Sequence, residues 1–545
     1  MTSGRQTRDG ERWDAATLDI HPREIEPMTT RLIAALLGAT ALAGGAAAQE
    51  LTVGAANVSS YLDPGRDHSN VGSQFYYNTF DTLIDKDHTK ADASFVPGLA
   101  ASWEIVSPQM IEFTLREGVT FQNGEAMTAE DVVFSLNRMF SPTYPPYAVR
   151  KRDRLGNFTR AEATADGKVR VYTAKPEPLF ETLLSMQQVM IVPKDYLMGL
   201  TGHPEVDEVS DYEAFGLAPV GTGPYAVAEF IPGERVVWER HEGFWGAPAP
   251  LERVTVTRIP ETASRITALK SGEADMITNI APDQLALIES DPNLKAAGSV
   301  TPLFHVMIMN VNHPRLEDPR IRRALSLAVD RDMLNEALWL GKAVVPSTHT
   351  MKEFGALYMP ELTTFEHDPE EAARLLDEAG YDGFEITFDT SATYYTNGLL
   401  AAQAIQEMWA EIGVNSRIDV DDQWTGSDPE MMVRNWSNPM YFADPFGSFG
   451  VMWAPGGPSE SEGRFNTDAD YAEIWERFRF STDVQDRREA YAELMGRIAE
   501  NPPLLPLYQP YESWAMTQRI DWSPLPGHIP YVLDFRAGRV SLAAN

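Results

Sequence analysis

Short runs of alternating polarity are interleaved with runs of helical period along most of the chain. Met110 to Leu115 reads MIEFTL, apolar and polar in turn, which predicts a half-buried strand. Val169 to Thr173 and residues 252–259 (ERVTVTRI) carry the same period, and Leu51 to Val53 opens the series. Residues 224–240 read as a hairpin around Pro232-Gly233. Helices are marked by their ends. Thr128 precedes a helix, with Asp131 three residues on as a capping-box partner. Asp318-Pro319 and Asp368-Pro369 each set an N-cap before a proline at the first helical position. Gly272 and Gly380 stand where the preceding helices must stop. A helix at 397–412 leads into a strand at 414–420. Strand and helix alternating throughout predict an α/β protein.

The N-terminal region differs. From Met28 the chain reads MTTRLIAALLGATALAGGAAAQE. Arg31 gives a positive start, Leu32 to Ala43 an apolar run, and Ala46-Ala47-Ala48 a small-residue cleavage pattern. Residues 28–48 therefore read as a signal peptide cut near Ala48-Gln49, which predicts a periplasmic protein. The apolar run is too short to be retained as a membrane span. The polar residues 1–27 read as a leader from a misplaced start, translation beginning at Met28.

Composition narrows the chemistry. The 545 residues contain no cysteine, so disulfides, thiolate metal sites, lipid anchors and cysteine nucleophiles are excluded. A net charge of −34 repels nucleic acid and anionic lipid. Gly221-Thr-Gly223 fits a loose dinucleotide pattern, but Pro224 leads into a strand where that motif needs a helix. Histidines 305, 313, 349, 367 and 528 lack metal-ligand spacing. No cofactor, metal or catalytic residue is expected.

Five blocks then follow in order: Phe121-Gln-Asn-Gly-Glu125 with Met127 to Leu136; Pro219-Val-Gly-Thr-Gly-Pro-Tyr225; Ala268 to Asp275; Asp318-Pro-Arg320 with Arg322 to Arg331; and Asp368 to Tyr381. As an ordered set they resemble the family 5 extracellular solute-binding proteins of bacterial ABC importers, over about Leu51 to Pro530. The resemblance implies a periplasmic-binding-protein fold of two mixed α/β lobes joined by hinge strands, plus an inserted lobe. Lobe I would comprise 49–95, 222–300 and 512–545, lobe II 96–221, and lobe III 301–511. It implies a monomer that captures a small-molecule solute by closure between lobes I and III and delivers it to permease subunits in the inner membrane.

The resemblance also places specificity near Trp436. Peptide binders of the family carry an Asp within three residues of that tryptophan, where it pairs with the peptide amine. Here Ser437, Asn438 and Pro439 follow, and Asp444 belongs to a later Asp-Pro turn. What surrounds them is aromatic and amide-rich: Trp424, Trp436, Asn438, Tyr441, Phe442 and Trp453, with Tyr394, Tyr395 and Asn397 from the preceding segment. Flat aromatic faces and amides suit sugar-like or other non-peptide organic solutes. Phe304, His305 and Asn310, just past the expected hinge, and Tyr61 and Asp63, after the first strand, complete the candidate ligand-binding set. A di- or oligopeptide ligand and, from a different class, a secreted glycoside hydrolase with a carboxylate pair are the alternatives.

Overall fold

The computed structural model describes residues 49–66, 69, 71–87, 94–141, 152–201, 213–392, 396–421, 430–524 and 532–543. Gln49–Asn545 forms one compact unit. Three sheets organise it. The first has seven strands, with Glu50–Ala55 at its centre between Arg253–Arg258 and Met276–Ile277. Both neighbours run parallel to it. Arg235–Arg240 and Tyr225–Ile231 extend one side as the antiparallel hairpin expected around Gly233, whose φ is +73°. Tyr511–Thr517 and Leu294–Val300 extend the other.

The second sheet has four antiparallel strands: Ala100–Ser107, Met110–Leu115, Val169–Thr173 and Phe158–Ala163. It lies in the segment inserted between Glu50–Ala55 and Tyr225–Ile231. The third sheet has five strands, in the order Ser416–Val420, Ile386–Thr390, Val433–Pro439, Leu303–Met309 and Leu504–Tyr508.

The helix ends form as their sequences dictate. Thr128 and Asp131 make both bonds of the capping box that starts Ala129–Phe140. Asp318 and Asp368 accept backbone N–H bonds ahead of Pro319–Leu327 and Pro369–Ala379. Gly272 and Gly380 end their helices in the left-handed conformation.

The insertion is joined to the first sheet through a side chain that bonds to main-chain groups. The Gln122 side chain donates to the carbonyls of Thr79 (2.9 Å) and Tyr225 (2.8 Å) and accepts from Gly221 N–H at 2.9 Å. Gly223 N–H donates to Thr79 O at 2.9 Å. That approach leaves no room for side chains, since a Cβ on Gly221 would lie 2.1 Å from Thr79 O. Phe134 and Met190 of the insertion are buried in the first sheet's core, and Arg138 pairs with Asp63 at 2.6 Å, both buried. Gly221→Ala is expected to destabilise the fold by at least about 1–3 kcal/mol through overpacking against backbone, seen as a lower urea midpoint at unchanged slope.

By contrast, among the described residues the chain passes between the first and third sheets twice, at Val300–Leu303 and Tyr508–Tyr511. The two passages lie side by side. Thr301 N–H donates to Pro510 O at 3.0 Å, and Gln509 Nε2 reaches Thr301 O at 3.4 Å.

Candidate functional site

Strand direction locates the site. Glu50–Ala55, Arg253–Arg258 and Met276–Ile277 all run toward the double passage, because Met276–Ile277 is antiparallel to the Tyr511–Thr517 strand that begins there. In the third sheet Leu303 pairs with Pro439, so Val433–Pro439 and its parallel neighbours Ile386–Thr390 and Ser416–Val420 also end at that side. The carboxyl ends of both sheets therefore border the passage, which is where open α/β sheets bind ligands. The rims are the segments after Ala55, Ile277, Thr390, Val420 and Pro439.

Several expected ligand residues stand on these rims or on the strands that lead to them. Tyr61, half-buried after the first strand, lies under the Arg66 guanidinium, 3.9 Å from its ring centroid. Asn397, half-buried with φ of 61°, donates to Leu338 O at 2.7 Å and precedes the helix Gly398–Glu411. Trp436 is half-buried on its strand, opposite Val306. Tyr441, half-buried beyond Pro439, carries the Arg154 guanidinium 3.4 Å above its ring. Tyr394, Tyr395 and Trp424 lie outside the described residues.

The other candidates differ from that expectation of exposure, because packing encloses them. Phe304 is fully buried with its ring 4.4 Å from that of His349. His305 lies between Trp339 and Tyr508 in the core. Asn438 is fully buried; its Oδ1 faces His349 Nε2 at 2.8 Å, and its Nδ2 donates to Ser448 O at 3.1 Å. Phe442 and Trp453 are core residues, Trp453 stacked on Phe449. Asn310 closes the opposite end of Leu303–Met309 and donates to Met431 O at 3.1 Å. Seven strand residues separate it from the passage, roughly 23 Å at about 3.3 Å each. Asp63 holds Arg138, and Asp444 holds Arg487 through both oxygens (2.9 and 2.8 Å) while capping the turn Pro445–Gly447.

Burial also fixes protonation. It pushes His305 down to about 3 and His349 down to about 4, so both imidazoles are neutral in the folded protein. Arg66, Arg138 and Arg154 were not anticipated as neighbours of the rims. Nothing in their local sequence distinguishes them from surface arginines, and only the fold brings them against Tyr61, Asp63 and Tyr441.

Two α/β bodies joined by a paired passage, with the carboxyl ends of both sheets turned to it, make up a periplasmic-binding-protein fold. The chain belongs to the family described as bacterial extracellular solute-binding proteins, family 5, whose model matches residues 94–458. Heme-binding protein A of Haemophilus influenzae is 28% identical over 370 residues, 64% of this chain and 65% of its own length; the chain thus spans just under two thirds of that relative. The fold is shared with the ABC transporter-associated periplasmic binding protein DppA from Helicobacter pylori, solved with the peptide STSA (TM-score 0.79, 23% identity, 90% of this chain and 98% of that one). It is shared too with AgaA from A. tumefaciens R10, solved with agropinic acid (TM-score 0.77, 21% identity, 91% and 99%). Membership in a family of binding proteins sets the glycoside hydrolase reading aside.

Proposed function

We propose that this protein captures a small organic solute between the first and third sheets by bending at Val300–Leu303 and Tyr508–Tyr511, and delivers it in the periplasm to the permease of an ABC importer. The observation that carries this reading is the asymmetry of connection. Gln122 of the insertion bonds to the Thr79 and Tyr225 carbonyls, whereas the third-sheet body is joined to the first sheet by two adjacent strand passages and meets the insertion through the Arg479–Glu177 and Lys175–Glu476 pairs. Hinge closure needs one stiff pair and one pliant joint. On this reading lobe I is 49–95, 222–300 and 512–545, lobe II is 96–221 and lobe III is 301–511. Tyr61, Asn397, Trp436 and Tyr441 line the cleft, and residues 28–48 are an export signal.

The solute is a sugar-like or other non-peptide organic one. The position three residues after Trp436 is Pro439, and the next carboxylate, Asp444, is consumed by Arg487. A buried peptide amine without a carboxylate would be an unpaired charge. The peptide reading retains a rim carboxylate in Asp421, directly after Ser416–Val420.

A thermal-shift screen against oligosaccharides, opines, di- and tripeptides and nickel chelates tests this. A ligand at a hundred times its Kd adds about 2.7 kcal/mol of stability. Stabilisation by amine-free solutes, abolished in Trp436→Ala, is the expected result. Stabilisation by peptides that is lost in Asp421→Asn would overturn the non-peptide assignment and make Asp421 the anchor.

A further inference from the structure

The hydrogen bonds at the ends of each passage locate the pivot between the two bodies. In the first passage Val300 still belongs to the first sheet, where it pairs with Tyr511. Pro302 already belongs to the third-sheet body, its carbonyl accepting from Met440 N–H at 2.9 Å. In the second passage Gln509 is held to the third-sheet body by a two-bond bridge with Val344, at 2.8 and 3.0 Å. Val344 is fixed in turn by its neighbour Ala343, which Asn335 grips through both side-chain ends. Tyr511 belongs to the first sheet. Its ring lies on Gly298, where a Cβ would stand 2.5 Å from it. Thr301 and Pro510 are left between these anchors, one in each passage. They are bonded to each other, with Thr301 N–H and Oγ1 both donating to Pro510 O, at 3.0 and 3.2 Å. Prolines restrict the backbone of both. The Pro510 ring fixes its own φ, and Pro302 keeps the preceding Thr301 out of the helical region.

We propose that rotation of the two bodies is confined to Thr301 and Pro510, and that Pro302 and Pro510 limit how far the cleft opens. This rests on the hinge reading given above and assigns its bending residues. The Val344–Gln509 bridge positions the pivot, because without it Gln509 joins the segment that bends. A restricted opening keeps more of the unliganded molecules near the closed arrangement, which raises the apparent affinity for a solute that binds that arrangement.

Pulsed electron spin resonance between labels on Lys270→Cys and Asp377→Cys tests the assignment. Both positions are exposed, on the helices Thr262–Ser271 and Pro369–Ala379, and the chain has no other cysteine. The unliganded chain is measured with Glu177→Gln and Arg479→Met, so that the buried pair between the insertion and the third-sheet body does not hold the cleft shut. Adding Pro302→Ala and Pro510→Ala together broadens the distance distribution about twofold or more, because Thr301 then gains the helical region. Val344→Pro, which removes one bond of the bridge, broadens it as well, whereas Val344→Ala, which keeps both, does not. A broad distribution that neither the alanine pair nor Val344→Pro alters overturns the pivot but leaves the hinge reading standing, since the bodies then bend elsewhere. A single narrow distance in every variant overturns both.

Discussion

Arg479→Met is expected to cost about 3–5 kcal/mol of stability, because it strands a buried carboxylate. Glu177 is 0% exposed and Arg479 3%, and the guanidinium meets both Glu177 oxygens at 2.8 and 2.5 Å. Asn157 Nδ2 and the Leu179 N–H, each 3.0 Å away, would remain as the carboxylate's donors and satisfy only part of its charge. Urea unfolding of Arg479→Met, Glu177→Gln and the double variant checks this. The double variant should recover much of the loss, since neither charge is then left without its partner. If it is as unstable as Arg479→Met, packing rather than charge is responsible. The pair also spans the insertion and the third-sheet body, as does the exposed pair Lys175–Glu476. Part of the loss should therefore appear as opening, read as a larger radius of gyration of the unliganded variant under native conditions.

The second large effect is acid destabilisation. His305 and His349 titrate near 6.5 when unfolded but near 3 and 4 when folded. Their folded values are depressed, so below pH 6.5 the unfolded chain binds protons that the folded protein refuses. Stability falls as pH drops through the interval from 6.5 to about 4, by about 1.4 kcal/mol per pH unit for each histidine. Between pH 6.5 and 4.5 the two together remove about 5 kcal/mol. Above pH 6.5 they contribute no slope. Unfolding free energies measured across this range for the native sequence and for His305→Gln check the account. The variant should lose about half of the two-histidine slope, and an unchanged slope would show that His305 is not buried neutral. His349 is the less replaceable of the two, because its Nε2 faces Asn438 and its ring packs on Phe304.

Much of the fold was legible because its marks are local. The Thr128–Asp131 capping box, the Asp318 and Asp368 caps and the Gly272 and Gly380 stops are all decided by hydrogen bonds spanning a few residues. Strand Met110–Leu115 announced itself through its alternation. Two strands of the third sheet carry a different mark. Leu303–Met309 and Leu504–Tyr508 are buried along their whole length, so their apolar runs show no period that would reveal which side faces the cleft.

That difference explains the candidate site. Sequence proximity gathered Trp436, Asn438, Tyr441, Phe442 and Trp453 into one apparent cluster. The structure divides them, leaving Trp436 and Tyr441 half-buried near the rim and taking Asn438, Phe442 and Trp453 into the core. Asn310 was grouped with Phe304 because both follow the passage, but an extended strand carries the chain away from its start at about 3.3 Å per residue. The Phe121–Glu125 block was legible as part of the family pattern, yet Gln122, which ties the insertion to Thr79 and Tyr225, could not be distinguished from an ordinary surface amide. Arg138 and Asp63 are 75 residues apart, and Arg479 and Glu177 are 302 apart. The sequence by itself determined the α/β class, the helix ends, the strand periods and the family. Tertiary structure alone decided which polar groups meet in the interior and which aromatics stay near solvent, because those outcomes depend on partners that no local spacing records.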